Sequence, residues 1–179
     1  MIDTKKLYDD FVLMSLGLKI IENFITDDEE KELIQSIEAI EQISYRSGRS
    51  KVMRFGSSKC YDNYMKQDTL PDFILKVAQK IVDAKLLDEI PDHASINEYK
   101  KNGFIPKHID SNESGDKITI VSLLSDADMF FEKGDEKILV PLPRKSLIQM
   151  KNEIRWLWEH SIPYVENLRY SIVFRNSKQ

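Results

Sequence analysis

The chain has 179 residues, 41% of them hydrophobic, which suits a single globular domain predicted over residues 1–179. Its one cysteine, Cys60, excludes an internal disulfide and is typical of proteins from a reducing compartment, so we expect a cytoplasmic or nuclear protein. The net charge of −4 argues against a chain that is basic throughout, but it conceals one strongly basic stretch.

The first apolar segment runs from Phe11 to Ile21 and is interrupted by Lys19. It is too short to span a bilayer and lacks the flanking pattern of a signal peptide. We therefore expect a strand that packs in the core, and no membrane segment.

Two helices are predicted in the N-terminal half. Thr26 to Glu29 has the sequence of a capping box, and the apolar residues that follow keep helical spacing to about residue 43. Pro71 stands at a plausible first helical position, and the apolar stripe after it predicts a helix that ends near Leu86. Both helices are expected to support a sheet.

Basic side chains are concentrated in residues 44–66. Six basic residues and one acidic residue give this stretch a charge of +5, so the rest of the chain, with 20 basic and 29 acidic residues, carries −9. Aromatic residues are interleaved with the cations, which suits phosphate contact and base stacking on a single-stranded or flipped nucleotide. The other interpretation is a solvated loop and a hairpin whose rings enter the core. If the stretch binds substrate, the contacts are expected from Lys51, Arg54, Phe55 and Tyr61.

From Ser95 onward, short β segments alternate with Gly, Asn and Asp, which predicts an all-β sandwich or barrel over about residues 95–176. His93 follows Pro91 and Asp92 and is predicted to be an ordinary surface histidine in a loop. It is not expected in the site.

Two tryptophans precede His160. Trp156 and Trp158 are predicted on the strand that leads to it, as core residues and not as a stacking platform for bases. The acidic side chains between Asp126 and Glu136 have no EF-hand spacing, so they predict an exposed turn and not a calcium site.

His108 and Asp110 lie two residues apart on a predicted strand, so their side chains point to the same side. His160 completes a set of two imidazoles and one carboxylate. Such a set on one face of an octahedron leaves three positions open, as non-haem Fe(II) oxygenases require. The three residues are therefore the predicted metal ligands and catalytic residues.

A row of polar side chains is predicted near the C-terminus. Arg169, Ser171, Val173 and Arg175 share one face of a strand whose neighbours are apolar. A buried arginine without an anion is costly, so this row indicates a ligand with carboxylates. 2-Oxoglutarate has one at each end.

Taken together, these segments resemble the AlkB family of Fe(II) and 2-oxoglutarate dependent dioxygenases. The resemblance implies a mainly β fold, a double-stranded β-helix of the jelly-roll kind, with two N-terminal helices against its outer sheet. It is carried by Asn97-x-Tyr99, Gly103, His108-x-Asp110, Ile120 to Leu123, Leu142 to Leu147, Trp158-x-His160 and Arg169-x-Ser171-x-x-x-Arg175.

The resemblance also implies the roles of individual residues. Arg169, with Tyr99 and Ser171, would hold the distal carboxylate of 2-oxoglutarate, while Asn97 and Arg175 would meet the end that chelates the metal. Dioxygen would be the second co-substrate. The implied Fe(II) ligands are His108, Asp110 and His160.

Within the family, Arg54-Phe55-Gly56 and Leu70-Pro71-Asp72 resemble the oxygenase domain of a tRNA-modifying member. The resemblance makes residues 44–66 a substrate lid and implies hydroxylation of a C–H bond on a modified or alkylated base of RNA or single-stranded DNA. The outcome would be base demethylation, as in DNA repair, or RNA modification, by a monomer.

Two alternatives stay open. A protein or small-molecule hydroxylase of the same fold is favoured by the acidic net charge and the short interval from His160 to Arg169. A binding module with a dead site is disfavoured, because the whole ligand set and both arginines are present.

Overall fold

The computed structural model describes residues 10–40, 44–45, 50–56 and 69–178. Among these residues, no helix is both long and apolar enough to cross a membrane. The helices are α1 (Asp10–Leu16), α2 (Asp27–Glu38), α3 (Asp72–Asp83) and α4 (Asn152–Trp156). The strands are β1 (Leu18–Ile21), β2 (Ser44–Tyr45), β3 (Ser50–Gly56), β4 (His93–Tyr99), β5 (Ile105–His108), β6 (Ser114–Leu123), β7 (Ala127–Lys133), β8 (Glu136–Leu142), β9 (Leu147–Met150), β10 (Glu159–Ile162) and β11 (Arg169–Ser177).

The described strands form two antiparallel sheets. The larger has the order β1-β9-β6-β11-β4-β3-β2, and the smaller has the order β5-β10-β7-β8. Ile120 and Val173 of the larger sheet share one buried apolar cluster with Met129, Phe131 and Val140 of the smaller, so the two sheets enclose a common interior. This arrangement confirms the predicted jelly roll.

A second apolar core lies on the outer face of the larger sheet. Helices α2 and α3 cover this face, because each has one apolar stripe and no other place to bury it. As predicted, both helices support the sheet. The residues that meet in this core include Leu33, Ile37, Ile74, Ile81, Phe55, Ile96, Ile172 and Phe174.

The ends of these helices follow from local chemistry. The Thr26 hydroxyl accepts from the Glu29 amide at 3.2 Å, and the Glu29 carboxylate accepts from the Thr26 amide at 2.8 Å, which confirms the capping box. Helix α3 is preceded by Pro71 as its cap and ends before Lys85, whose φ of 57° turns the chain out of the helix. Both helices are shorter than predicted at their C-terminal ends.

The segment Phe11 to Ile21 differs from the prediction, because only its second half is a strand. Gly17 separates α1 from β1 with φ of +99°, a conformation that residues with a Cβ rarely adopt. A Cβ there would lie 2.0 Å from the Lys151 carbonyl oxygen, so the chain needs glycine where it turns beside β9. An unbroken apolar run cannot tell a helix from a strand, which explains the error.

The prediction for the tryptophans is also partly wrong. Trp156 ends α4 and is half-buried, and the strand that carries His160 begins only at Glu159. Trp158 is buried in the jelly-roll interior, as predicted.

Candidate active site

Three metal-binding side chains converge at one end of the smaller sheet. His108 is the last residue of β5, and β10 pairs with β5 so that His160 lies directly opposite it. Asp110 follows two residues later, just beyond the strand that was predicted to contain it. The candidate ligand atoms of all three residues lie within 4.8 Å of one another.

The orientation of each imidazole suits metal binding. The Nδ1 atom of His108 lies 2.9 Å from the Pro106 carbonyl oxygen, which can only accept, so Nδ1 carries a proton and Nε2 is the ring nitrogen left to ligate a metal. That Nε2 is 4.0 Å from Asp110 Oδ1, and His160 Nε2 is 3.9 Å from Asp110 Oδ2. Burial lowers the pKa of His160 to about 4, so this imidazole is neutral and able to ligate near pH 7.

Asp110 is held ionised by its neighbours. Burial alone would raise the pKa of its carboxyl group, but the Arg175 guanidinium and the two imidazoles outweigh that effect and keep this pKa below its ordinary range. Arg175 Nη2 donates to Asp110 Oδ1 at 2.8 Å. The other carboxylate oxygen, Oδ2, is buried and has no hydrogen-bond partner among the described residues, so it is available to an ion.

A second group of buried polar side chains surrounds Arg169 on the larger sheet, and we call it the arginine pocket. The Arg169 side chain is 1% exposed, its Cζ atom stands 4.9 Å from the ring centre of Tyr99, and Nη2 donates to the Ser122 hydroxyl at 3.2 Å. Its Nε and Nη1 atoms have no hydrogen-bond partner in the described parts of the chain. Burial lowers the pKa of Arg169, which expresses the cost of keeping this charge away from water. An anion in the pocket would offset that cost.

The polar row runs between these two sites. Asn97 Nδ2 donates to the Ser171 hydroxyl at 3.2 Å, while Asn97 Oδ1 is buried and has no hydrogen-bond partner among the described residues. The pairing of β4 with β11 places Tyr99 opposite Arg169 and Asn97 opposite Ser171. All five predicted co-substrate residues therefore lie on the interior face of the larger sheet, which we call the site face.

The pairing of strand β3 with β4 determines which of the predicted substrate residues lie on the site face. In this pairing, Arg54 lies opposite Ser95 and Lys51 opposite Glu98. Because opposite residues in an antiparallel pair point to the same side, Arg54 is on the site face and Lys51 is on the helix-covered face. There the Lys51 ammonium lies 3.9 Å from the Glu98 carboxylate.

Two of the four predicted substrate residues thus need correction. Lys51 faces away from the site, and Phe55 is 3% exposed within the outer core, where it offers no ring face to a base. Both errors have one cause. The sequence shows that the stretch is rich in cations, but it does not show which side chains of the strand within it point to which face of the sheet. Tyr61, with most of the predicted lid, lies outside the described residues.

His93 is the clearest error of placement. It is 1% exposed and begins β4, where it pairs with Arg175 on one side and Gly56 on the other. Its Nδ1 atom lies 2.6 Å from the Asp92 carboxylate, and burial lowers its pKa. The dipeptide before it suggested a loop up to Ser95, but β4 begins at His93, two residues earlier than expected, so His93 belongs to the site face.

The Ser122 hydroxyl accepts the hydrogen bond from Arg169 in the arginine pocket, but Ser122 is not among the predicted site residues. The sequence feature that could have identified Ser122 is its position in the apolar strand β6, where a buried hydroxyl needs a polar partner. The acidic segment from Asp126 to Glu136 was predicted to be an exposed turn, but Asp128 and Glu132 lie on β7 and only the two residues between β7 and β8 form the turn. Asp126 itself accepts from the Arg144 amide at 2.6 Å.

The described residues fit Fe(II) and 2-oxoglutarate. Two imidazoles and a carboxylate form the ligand set of a non-haem iron site. The buried guanidinium of Arg169 and the unsatisfied Asn97 oxygen lie along the same face, as a ligand with polar groups at both ends requires.

Comparison with known proteins agrees with this geometry. The model of the 2OG-Fe(II) oxygenase superfamily matches residues 57–175. The tRNA (carboxymethyluridine(34)-5-O)-methyltransferase alkbh8 of Xenopus tropicalis is 31% identical over 156 residues, covering 82% of this chain and 25% of the relative. The DNA N6-methyl adenine demethylase of Caenorhabditis elegans is 24% identical over 174 residues, covering 90% of this chain and 60% of the relative.

The solved structure of OsALKBH1 has the same fold, with a TM-score of 0.70 at 16% identity over 89% of this chain and 98% of that one. This chain spans about a quarter of the length of the methyltransferase that it matches. The matches confirm the resemblance to the AlkB family. With its ligand set and arginine pocket in place, the protein belongs to the 2OG-Fe(II) oxygenase superfamily and is an Fe(II) and 2-oxoglutarate dependent dioxygenase.

Proposed function

We propose that this dioxygenase oxidises a C–H bond on a modified or alkylated base of RNA or single-stranded DNA. Two of its relatives are named for reactions on nucleic-acid bases, one on tRNA and one on DNA. Since the chain corresponds to only part of the tRNA-modifying relative, the proposal concerns the oxygenase reaction alone.

Each site residue has a defined part in this reaction. His108, Asp110 and His160 would hold the iron, and Arg169 would bind the distal carboxylate of 2-oxoglutarate, with Tyr99 shielding that pair from water. When bound, iron and 2-oxoglutarate supply the oxidation: one atom of dioxygen enters succinate as carbon dioxide is lost, and the other enters the substrate C–H bond.

Arg54 is the structural observation that carries the nucleic-acid proposal. It places a cation on the site face, next to Ser95, whose hydroxyl is buried and has no hydrogen-bond partner among the described residues. Ser95 in turn pairs with Val173 of β11. The next residue of β11 on the same face is Arg175, which donates to the metal ligand Asp110. In this position the Arg54 guanidinium can contact a phosphate of the nucleotide whose base enters the site.

The substrate class can be tested by measuring succinate formation with a panel of candidates. The panel contains methylated RNA and DNA oligonucleotides, transfer RNA and peptides, each assayed with the wild-type protein. We expect stimulation by a nucleic acid, with formaldehyde released if the carbon is an N-methyl group and a stable alcohol formed otherwise. Stimulation by peptides alone would favour the protein hydroxylase instead.

The first prediction concerns Arg54. Arg54→Ala should weaken binding to the stimulating nucleic acid and reduce the dependence of log K on log salt by about one, because one phosphate contact is lost. Lys51→Ala is the matched control: it removes an equal charge from the same strand but from the opposite face, so binding should be unchanged. Salt titrations of the three proteins measure both effects.

Equal losses in the two variants would contradict this assignment, because a general reduction of positive charge would then explain them. Wild-type binding that does not depend on salt would remove the phosphate contact altogether.

A further inference from the structure

Arg155, in α4, has an unusual set of partners. It is 2% exposed, and its guanidinium donates to four main-chain carbonyl oxygens. Two of these acceptors, Asp110 at 3.3 Å and Ser111 at 2.8 Å, lie in the turn that follows β5, and the other two, Ser114 at 3.2 Å and Gly115 at 3.3 Å, are the first residues of β6. A short turn exposes several carbonyl groups in one direction, and a planar guanidinium with five N–H donors can satisfy them together.

The turn held in this way carries a metal ligand. Arg155 fixes the main chain of Asp110, while Arg175 fixes its carboxylate from the opposite side at 2.8 Å. The turn is closed internally by a Ser114 amide to Ser111 carbonyl bond of 3.1 Å. The position of the Asp110 carboxylate therefore depends on two arginines, of which only Arg175 touches it.

Arg155 also connects this turn to a second ligand. It lies five residues before His160, and α4 leads into the strand that carries this histidine. Its Cζ atom stacks 4.1 Å from the ring centre of Trp156, which limits the rotation of the guanidinium. One rigid side chain thus joins the two segments that supply Asp110 and His160.

We propose that Arg155 is a positioning residue for the metal: it fixes the turn after β5 so that the Asp110 carboxylate meets the two imidazoles. It touches neither metal nor co-substrate. Partners that orient metal ligands commonly change metal affinity by 10- to 100-fold when they are removed. The proposal rests on the iron site described above and adds Arg155 as a residue that sets metal affinity without contacting the metal.

Manganese titration of the metal-free full chain tests this role without measuring catalysis. Free Mn²⁺ is followed by its paramagnetic resonance signal for wild type, Arg155→Gln, Arg155→Lys and Gln149→Ala. We expect Arg155→Gln to bind Mn²⁺ roughly 10-fold to 100-fold more weakly, although every ligand is still present. Arg155→Lys should fall between the two, because an ammonium keeps the charge but cannot reach four carbonyls at once.

Gln149→Ala is the matched control for a general loss of stability. Gln149 is also buried and polar, and its amide donates to the Leu86 carbonyl oxygen at 2.6 Å, but it faces the outer core. Its removal should lower the thermal midpoint and leave Mn²⁺ affinity at the wild-type value. The visible spectrum of bound Co²⁺ gives a second reading, which should shift in Arg155→Gln and not in Gln149→Ala.

Wild-type Mn²⁺ affinity in folded Arg155→Gln would overturn the proposal, and so would an equal loss of affinity in Gln149→Ala. If Arg155→Gln does not fold, the same comparison is made with Arg155→Lys, where unchanged affinity has the same meaning. Failure of the wild type to bind Mn²⁺ would instead overturn the metal site itself.

Discussion

The two interior arginines differ in their partners, and this difference separates their roles. Arg175 pairs with Asp110, so its charge is compensated within the protein. Arg169 forms no salt bridge with a carboxylate of the described residues, and the neutral side chains of Ser122 and Tyr99 lie beside it. The proposed co-substrate therefore has a buried, unneutralised charge to bind at Arg169, whereas the charge of Arg175 is already neutralised by Asp110.

The second prediction follows from the cost of burying Arg169. Arg169→Ala should raise the 2-oxoglutarate concentration needed for succinate formation by a factor equivalent to roughly 2 to 5 kcal/mol, because a buried charge pair loses one partner. Arg169→Lys keeps the charge but loses the two-pronged contact, so its requirement should be intermediate. An unchanged requirement in Arg169→Ala would mean that the distal carboxylate binds elsewhere.

The third prediction separates ligation from stability. His108→Ala, Asp110→Ala and His160→Ala should each abolish succinate formation, since each removes a metal ligand. In the metal-free protein, Asp110→Ala should also lower the free energy of unfolding by roughly 3 to 5 kcal/mol, because Arg175 stays buried but loses its ion pair with this carboxylate. His108→Ala should cost far less, as its side chain is 32% exposed.

Urea unfolding of the metal-free variants measures the difference. Succinate formation that persists in any of the three would contradict the ligand assignment, and equal destabilisation by Asp110→Ala and His108→Ala would contradict the role given to Arg175.

At the scale of the elements, β5 is the weakest support of the metal site. It has four residues and lies at the edge of the smaller sheet, where β10 is its only partner among the described strands, with an irregular register between His160 and Ile162. Strands with one partner and few hydrogen bonds open at low cost. Yet β5 carries His108. One of the three metal ligands therefore lies on a strand that opens easily in the metal-free protein.

The fourth prediction is that metal binding protects β5 selectively. In the metal-free protein, the amides of β5 should exchange with solvent faster than those of β11, which is flanked by β4 and β6. Adding Mn²⁺ should slow exchange in β5 through the His108 bond, because a ligand that binds only the closed form stabilises it. Protection in β11 should change little. Hydrogen exchange read by mass spectrometry tests this, and equal protection of both strands would contradict it.

Across the whole molecule, the chemistry was more predictable than the packing. The His108 and Asp110 pair and the arginine row could be predicted because each depends on spacing over a few residues and on residue types with few other uses, and His160 completed the ligand set. The alternation of short β segments and turns predicted an all-β sandwich or barrel, and the resemblance to the AlkB family narrowed this to a jelly roll. These are local properties, and the sequence displays them directly.

What could not be predicted depends on contacts between distant segments. The burial of His93 follows from its pairing with Arg175, 82 positions later, and the role of Arg155 follows from a turn 40 or more positions earlier. The helix in residues 10–16 was missed because an apolar run has no distinct period. The faces of β3 were missed because its register with β4 is a tertiary property.

The alternation along β3 has a consequence for how this protein can change over time. Met53 and Phe55 belong to the outer core, while Arg54, between them, belongs to the site face. Substitution at Arg54 can alter what the enzyme accepts with little effect on the helix-covered core, whereas its two neighbours are constrained by packing. Insertion or deletion of one residue in β3 would exchange the two sets. New specificities should therefore arise here by replacement at alternate positions, and changes of strand length should be confined to the connections on either side.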